Sequence, residues 1–364
     1  MNTIGNNIKV TFFGESHGPY LGVVIDNLPA GLEIDYDLIK SNLSKRRPSS
    51  NISTDRVEKD KYTIVSGFLN GLTTGAALTV LIENTNTRSK DYEFLNITPR
   101  PSHADYPAYT KYNGFNDYRG SGFFSGRVTA LWIVVGSICQ QILNKHNIFV
   151  GSHVLSIKDV VDDKFESNTN NLDQLKLVVN DVLPVINNVK GNEMIKIIEE
   201  AKANSDSVGG VVESKIINLP VGLGEPYFLS TESYISNLLF AVPAVKGVEF
   251  GKGFDITKNF GSEMNDEYII QKGDIQTKCN NNGGILGGLT NGSPIIIRAA
   301  FKPASSIAKP QKTVNLLDKT ETTLEIHGRH DPQVVSRAVP VVNSVLYFAI
   351  LDLLLFQKNK SDLI

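Results

Sequence analysis

The chain reads as an α+β protein or layered sandwich, on three observations. Short β-branched and aromatic runs come in close pairs near its start, two long apolar runs of helical length follow, and strands and helices do not alternate regularly. Close pairs split by Gly and Pro form hairpins, whereas a doubly wound parallel sheet needs regular βα alternation. No Pro/Ser/Gly-rich linker and no repeat divides the sequence, so one large domain, 1–364, is expected.

The first hairpin pairs strands at 8–13 and 21–28, closed by Pro29-Ala30-Gly31; a second pairs 62–68 and 76–83 around Asn70-Gly71. Residues 128–143 have the spacing of a helix. The stretch 157–207 is polar and Asn-rich, but Met194, Ile195, Ile197, Ile198 and Ala201 fall mostly on one helical face, with Asn192 as the expected cap. Strands follow at 211–219 and 295–301, and a final helix at 338–355. The two apolar helices read as core rather than membrane spans: the first has only 16 residues, and the second carries Pro340, Asn343, Ser344 and Asp352. The start, MNTIGNNIKV, lacks the pattern of a signal peptide, so a soluble protein is expected.

Charge narrows the partners. With 36 basic and 38 acidic residues the net charge is −2, which gives no bulk electrostatic case for nucleic acid or an acidic membrane. Any anionic ligand must meet a local cluster. Cys139 and Cys279 provide neither a disulfide framework nor metal-ligand spacing, as suits a reducing cytoplasm, and no metal site is expected.

Five segments carry possible chemistry. Gly14-Glu15-Ser16-His17-Gly18 fits G-x-S-x-G, but a nucleophile elbow needs a helix after the serine, and a second strand stands there. The alternatives are a functional His17, able to shuttle a proton near neutrality, and a structural one. Arg119-Gly120-Ser121-Gly122-Phe123-Phe124-Ser125-Gly126-Arg127 runs into the first apolar helix and reads as an anion seat between two arginines. Gly283-Gly284-Ile285-Leu286-Gly287-Gly288 either brings backbone close to a ligand or makes two tight turns. Lys302, followed by Ser305 and Ser306, suits a phosphate clamp. Gly328-Arg329-His330-Asp331-Pro332 offers either a carboxylate kept charged between Arg329 and Arg337, or a surface salt bridge. Lys45, Arg46, Arg47, Arg88, Arg119, Arg127, Lys302, Arg329 and Arg337 either converge on a polyanion or lie scattered in solvent.

Read in order, these segments resemble the chorismate synthases. The likeness runs from Asn2 to about Leu355 through NTIG at 2–5, FGESHG at 13–18, KRRP at 45–48, IENTNTRSKDY at 82–92, RPSHADY at 100–106 and DYRGSG at 117–122. It continues through DSVGG at 206–210, PAVKGVEFGKGF at 243–254, GGILGG at 283–288, KPASS at 302–306, GRHDP at 328–332 and RAVP at 337–340.

The resemblance implies a trans-1,4 elimination of phosphate from 5-enolpyruvylshikimate 3-phosphate to give chorismate, with reduced FMN and no net oxidation. It implies His17 beside the flavin, His103 beside the departing phosphate and Asp331 as the group helping to take up the substrate proton. FMN contacts map to Phe123, Phe124, Ser125, Pro243, Ala244, Gly287, Lys302, Pro303, Ala304, Ser305, Ser306 and Arg329, and substrate anions to Arg46, Arg47, Arg127 and Arg337. A β-α-β sandwich with helices between antiparallel sheets, a homotetramer, a separate flavin reductase as the source of reduced FMN, and NADP as an associated nucleotide are further implications. Two departures stand out: Phe123 occupies a position usually Arg or His, and 49–54 lacks an arginine often found there, with Arg56 as the nearest substitute. The competing classes are a flavoprotein oxidoreductase, a non-catalytic flavin binder and a serine hydrolase at Ser16.

Overall fold

The computed structural model describes residues 1–48, 52–53, 60–85, 96–178, 182–271, 273–326 and 330–357. Among them two five-stranded antiparallel sheets enclose helices. The first sheet comprises Thr3–Ile4 (β1), Lys9–Gly14 (β2), Tyr20–Asp26 (β3), Tyr62–Ser66 (β4) and Leu78–Glu83 (β5), in the order β1-β2-β3-β5-β4. The second comprises Phe149–Ile157 (β6), Val160–Val161 (β7), Gly210–Ile217 (β8), Val245–Phe250 (β9) and Ile295–Phe301 (β10), in the order β9-β10-β8-β6-β7. The longer helices are Tyr36–Lys45 (α1), Asp105–Lys111 (α2), Ala130–Lys145 (α3), Asn188–Ala203 (α4), Thr231–Phe240 (α5) and Val335–Gln357 (α6). This is the expected α+β sandwich.

Both early hairpins form. In β2 and β3, Val10 faces Ile25 and Phe12 faces Val23. Leu21, Val23 and Ile25 of β3 share one buried face with Leu78, Val80 and Ile82 of β5, as the period of two requires. That face rests on the helical layer. Phe12 meets Trp132 of α3 edge-on at 4.9 Å, and Trp132 meets Phe348 of α6 at 5.5 Å, so three aromatic rings tie the sheet to both central helices. Helix α6 then packs on β6 and β8 of the second sheet.

Helices α3 and α6 are apolar nearly all round, which demands neighbours on every side. The segments Arg119–Lys145 and Val335–Phe356 have the length and hydropathy of membrane spans, yet their apolar windows are 72% and 89% buried. They are core helices. They approach closely at Gly136, where a Cβ would stand 2.2 Å from Cβ of Ser344.

Asp352, one of the polar residues noted in the last helix, is buried on α6. Its carboxylate accepts from the backbone N–H groups of Asn6, Asn7 and Ile8 at 2.7, 2.7 and 2.8 Å, and from the Tyr234 hydroxyl. A buried carboxylate is tolerable only with such donors.

The outer face of the second sheet carries a row of charges in register. His153 on β6 lies opposite Glu213 on β8, Glu213 opposite Arg298 on β10, and Arg298 opposite Glu249 on β9. His153 contacts Asp162 at 3.1 Å and Glu213 at 3.2 Å, with Phe165 packed edge-on against its ring.

The structure corrects several local expectations. Helix α4 begins earlier than predicted: Asn187 caps it, accepting from the N–H groups of Val189 and Lys190, while Asn192 lies inside. Ser16 sits in the turn between β2 and β3, with no helix after it, so the nucleophile-elbow reading fails. The sequence reading also missed β6, β9, α1, α2 and α5.

Candidate active site

A cavity of about 700 Å³ opens where five segments meet: 100–104, 120–127, 240–246, 301–306 and the start of α6. Arg46, at the end of α1, lines it as well.

Its cationic side is built around one buried carboxylate. Arg46 Nη1 lies 3.5 Å from Asp60 Oδ2, and Arg127 Nη1 donates to Asp60 Oδ1. Arg46 Nε also donates to Thr129 Oγ1 at 3.1 Å, and Arg127 Nε to Asn84 Oδ1 at 3.2 Å. Two guanidiniums share this carboxylate and line the cavity in a water-poor place, where charges act strongly on a bound anion. Arg337 continues this side: its Nε donates to the Arg46 carbonyl at 3.1 Å and its Nη1 to Asp331 Oδ2 at 2.8 Å. Asp331 is therefore paired with Arg337, and the pair lines the cavity.

Both predicted histidines lie against one loop. Gly120 and Ser121 adopt φ of 55° and 74°. A Cβ on Gly120 would fall 2.0 Å from the His17 ring, so glycine is required there for the imidazole to pack on the backbone. Ser16 Oγ donates to the Gly120 carbonyl at 2.8 Å and contacts His17 Nδ1 at 3.1 Å. On the next residue, Ser121 Oγ lies 3.2 Å from His103 Nε2. His103 lines the cavity, and His17 packs behind Gly120, which also lines it. Ser121 is a non-glycine residue in left-handed backbone, a strain that persists only where surroundings hold it.

The lining also has an apolar part, with Phe240, Val242, Pro243, Ala244, Val334, Val341 and Phe123. Lys302 stands at its edge; Nζ donates to the Ser102 carbonyl and to Ser305 Oγ, the latter at 2.7 Å. Burial, with Lys246 adding repulsion, holds its amine below the ordinary lysine value. Ser125 caps the turn Gly126–Thr129 by accepting from the Arg127 N–H.

Of the residues predicted to bind cofactor, Phe123, Phe124, Ser125, Pro243, Ala244, Lys302, Pro303, Ala304, Ser305 and Ser306 line the cavity. Gly287 does not; it sits at the tip of a two-residue ladder between Ile285–Leu286 and Leu289–Thr290, as in the tight-turn reading. Of the substrate arginines, Arg46, Arg127 and Arg337 line it and Arg47 does not. Arg329, Arg88, Arg56 and most of 82–92 lie outside the described residues.

Sequence reasoning missed Asp60, Arg100 and Asp105, and named Ser121 only as part of the Arg119–Arg127 stretch. Arg100, His103 and Asp105 stand within one quoted motif, RPSHADY, and a charged triplet so close together was the available signal. For Asp60 no local pattern pointed to the site.

The comparisons with known proteins agree with one another. The family model described as chorismate synthase matches residues 8–355. A chorismate synthase of Pyrococcus abyssi is 43% identical over 97% of this chain and 98% of its own length. One of Dehalococcoides mccartyi is also 43% identical, over 97% and 96%. A crystal structure of a chorismate synthase superposes with a TM-score of 0.76 at 27% identity, covering 98% of this chain and 94% of that one. The chain belongs to the chorismate synthase family.

Proposed function

We propose that the cavity carries the family's reaction: loss of phosphate and of a proton from 5-enolpyruvylshikimate 3-phosphate, giving chorismate. The activity class that follows from family membership is a carbon–oxygen lyase of the shikimate pathway. The substrate bears two carboxylates and a phosphate, which suits the Arg46, Arg127 and Arg337 side, since guanidinium forks match such oxygens. Arg47 is a further candidate through its position beside Arg46.

The residues present also fit reduced FMN. The volume lies within the range of small-molecule sites; the apolar wall suits a flat ring system, and Lys302 with Ser305 and Ser306 suits a phosphate tail. Phe123 to Ser125, Pro243 to Ala244, Pro303 and Ala304 would complete that seat, with Gly287 and Arg329 as further candidates. When bound, reduced flavin supplies electron density transiently and recovers it, so that no net oxidation occurs.

The chain's own groups do the rest. The arginines hold the substrate anions and neutralise charge developing on the leaving phosphate, most effectively where water is excluded. His103 meets the phosphate as the C–O bond breaks. His17 offers a proton or positive charge behind Gly120. Asp331, oriented by Arg337, carries away the proton released when the C–H bond breaks. We read residues 1–364 as one catalytic domain, in keeping with the hydrophobic cluster shared by both sheets and the helices between them. A homotetramer is favoured by exposed Phe254, Phe260, Tyr268, Ile270 and Ile275 on one stretch of chain. A cytoplasmic location and a separate flavin reductase complete the reading.

The observation that carries the proposal is the joining of three arginines, a histidine and a paired aspartate to an apolar wall in one cavity. Anaerobic mixing with chemically reduced FMN and substrate should release phosphate and raise chorismate absorbance; no turnover above background overturns it. His17→Ala and Asp331→Ala should each slow turnover by about 10²-fold or more.

A further inference from the structure

We infer that Asp105 is a positioning residue for the elimination: its carboxylate holds a proton on Nδ1 of His103, turns Nε2 toward the cavity, and keeps the imidazole chargeable among cations. The inference rests on the proposed reaction.

The geometry sets one nitrogen apart from the other. His103 Nδ1 lies 2.7 Å from Asp105 Oδ1, with the side chains 19% and 9% exposed. Nε2 lies 3.2 Å from Ser121 Oγ. Arg100 Nη2 also lies 3.2 Å from Nδ1, but its two hydrogens go to Asp105 Oδ1 and Ser121 Oγ; the carboxylate only accepts, so it selects the tautomer with hydrogen on Nδ1 and leaves Nε2 to exchange protons. Asp105 is itself fixed. Arg100 donates from Nε to Oδ2 and from Nη2 to Oδ1, each at 2.8 Å, and the Arg100 backbone N–H donates to Oδ2 at 2.9 Å. Arg100 Nη2 also donates to Ser121 Oγ at 2.9 Å, so one guanidinium aligns the partners of both ring nitrogens.

The charges explain why the carboxylate is needed. His103 is faced by Arg100 and Asp105 from its own segment, by Ser121 from the loop and by Lys302, whose amine donates to the neighbouring Ser102 carbonyl, from the segment after β10. Burial pushes its imidazole below the ordinary histidine value; Asp105 pulls it back up, against Arg100 and Lys302. Burial would raise the Asp105 carboxyl, but hydrogen bonds from Arg100 and His103 outweigh it and keep it ionised. Without that negative charge His103 would be a neutral ring between two cations, unable to give a proton to a leaving phosphate.

The test reads His103 itself. Carbethoxylation by diethylpyrocarbonate follows the neutral imidazole, and mass spectrometry of the His103 peptide gives its pH midpoint in the full-length protein without turnover. Asp105→Asn should lower that midpoint by about one pH unit or more. In the same variant kcat should fall about tenfold at pH 8 and approach wild type at pH 6. The Asp105→Asn effect on kcat should disappear when His103→Ala is already present. Asp105→Glu, which keeps the charge, should restore the midpoint, and it also serves if Asp105→Asn does not fold. An unmoved midpoint, or an equal loss in the His103→Ala background, makes Asp105 a staple of its loop and overturns the inference. If wild type shows no turnover the proposed reaction fails, whereas the titration still reports on Asp105.

Discussion

Two buried histidines in this molecule are paired with carboxylates, and their fates differ. His103 has Asp105 on one nitrogen and a serine hydroxyl on the other, with Arg100 and Lys302 around it, and it borders a cavity. His153 has a carboxylate on each nitrogen, Asp162 and Glu213, is sealed under Phe165, and lies in a row of alternating charges across four strands. Burial pushes both imidazoles down; at His153 the two carboxylates outweigh it and the value ends above the ordinary one, at His103 it ends below. A histidine with an acceptor on each nitrogen is held toward its charged form and ties the sheet together. One left with a hydroxyl and an opening can exchange a proton, the role proposed for His103.

That contrast can be broken most sharply by removing each ring in turn. His103→Ala should cost about 10²-fold or more in turnover and little in thermal stability. His153→Ala should leave turnover of the folded enzyme near wild type and cost about 3–5 kcal/mol, because two buried carboxylates lose the cation between them. Paired rate and denaturant-unfolding measurements check this, and similar profiles for the two variants would erase the distinction.

A gentler probe is pH. Because the folded value of His153 is raised, its contribution is fully present below about pH 6.5 and fades as pH climbs through the raised value. The stability gap between wild type and His153→Ala should therefore narrow from pH 6 to pH 9; a constant gap would mean His153 is neutral throughout.

The smallest effect belongs to Lys215, on the same sheet face. Burial lowers its amine to about 8, while Nζ donates to the Glu166 carbonyl at 2.7 Å and to Thr169 Oγ1 at 3.3 Å. Here the sign reverses: stability should rise between pH 8 and about pH 10.4, where the unfolded chain still binds the proton. Lys215→Met should lack that rise when melting is followed across the interval.

The two regions were not equally legible. Strands β2, β3, β4, β5, β8 and β10 and helices α3 and α6 follow from apolar runs that match their period. Strand β6 escaped because Phe149–Ile157 is buried on both faces, and Gly151, Ser152, His153 and Ser156 break its apolar run. Helix α1 escaped because its buried face is only Ile39 and Leu43, and its cap, Asp35, looked like any loop aspartate. In the cavity, arginines and histidines were visible as residue types, but Asp60 and Asp105 gain meaning only from what they touch. The charged row from His153 to Glu249 could not be read at all, since register across four strands is a tertiary fact.

The carboxylate clasp at the end of α6 has a consequence for biosynthesis. Asn6, Asn7 and Ile8 are made long before their partner, Asp352, which lies some 345 residues later. A contact of such separation closes late, so these three N–H groups lack their carboxylate until α6 has been made, although α3 can already cover Phe12. A nascent chain stalled before that point should be a ready client for chaperones.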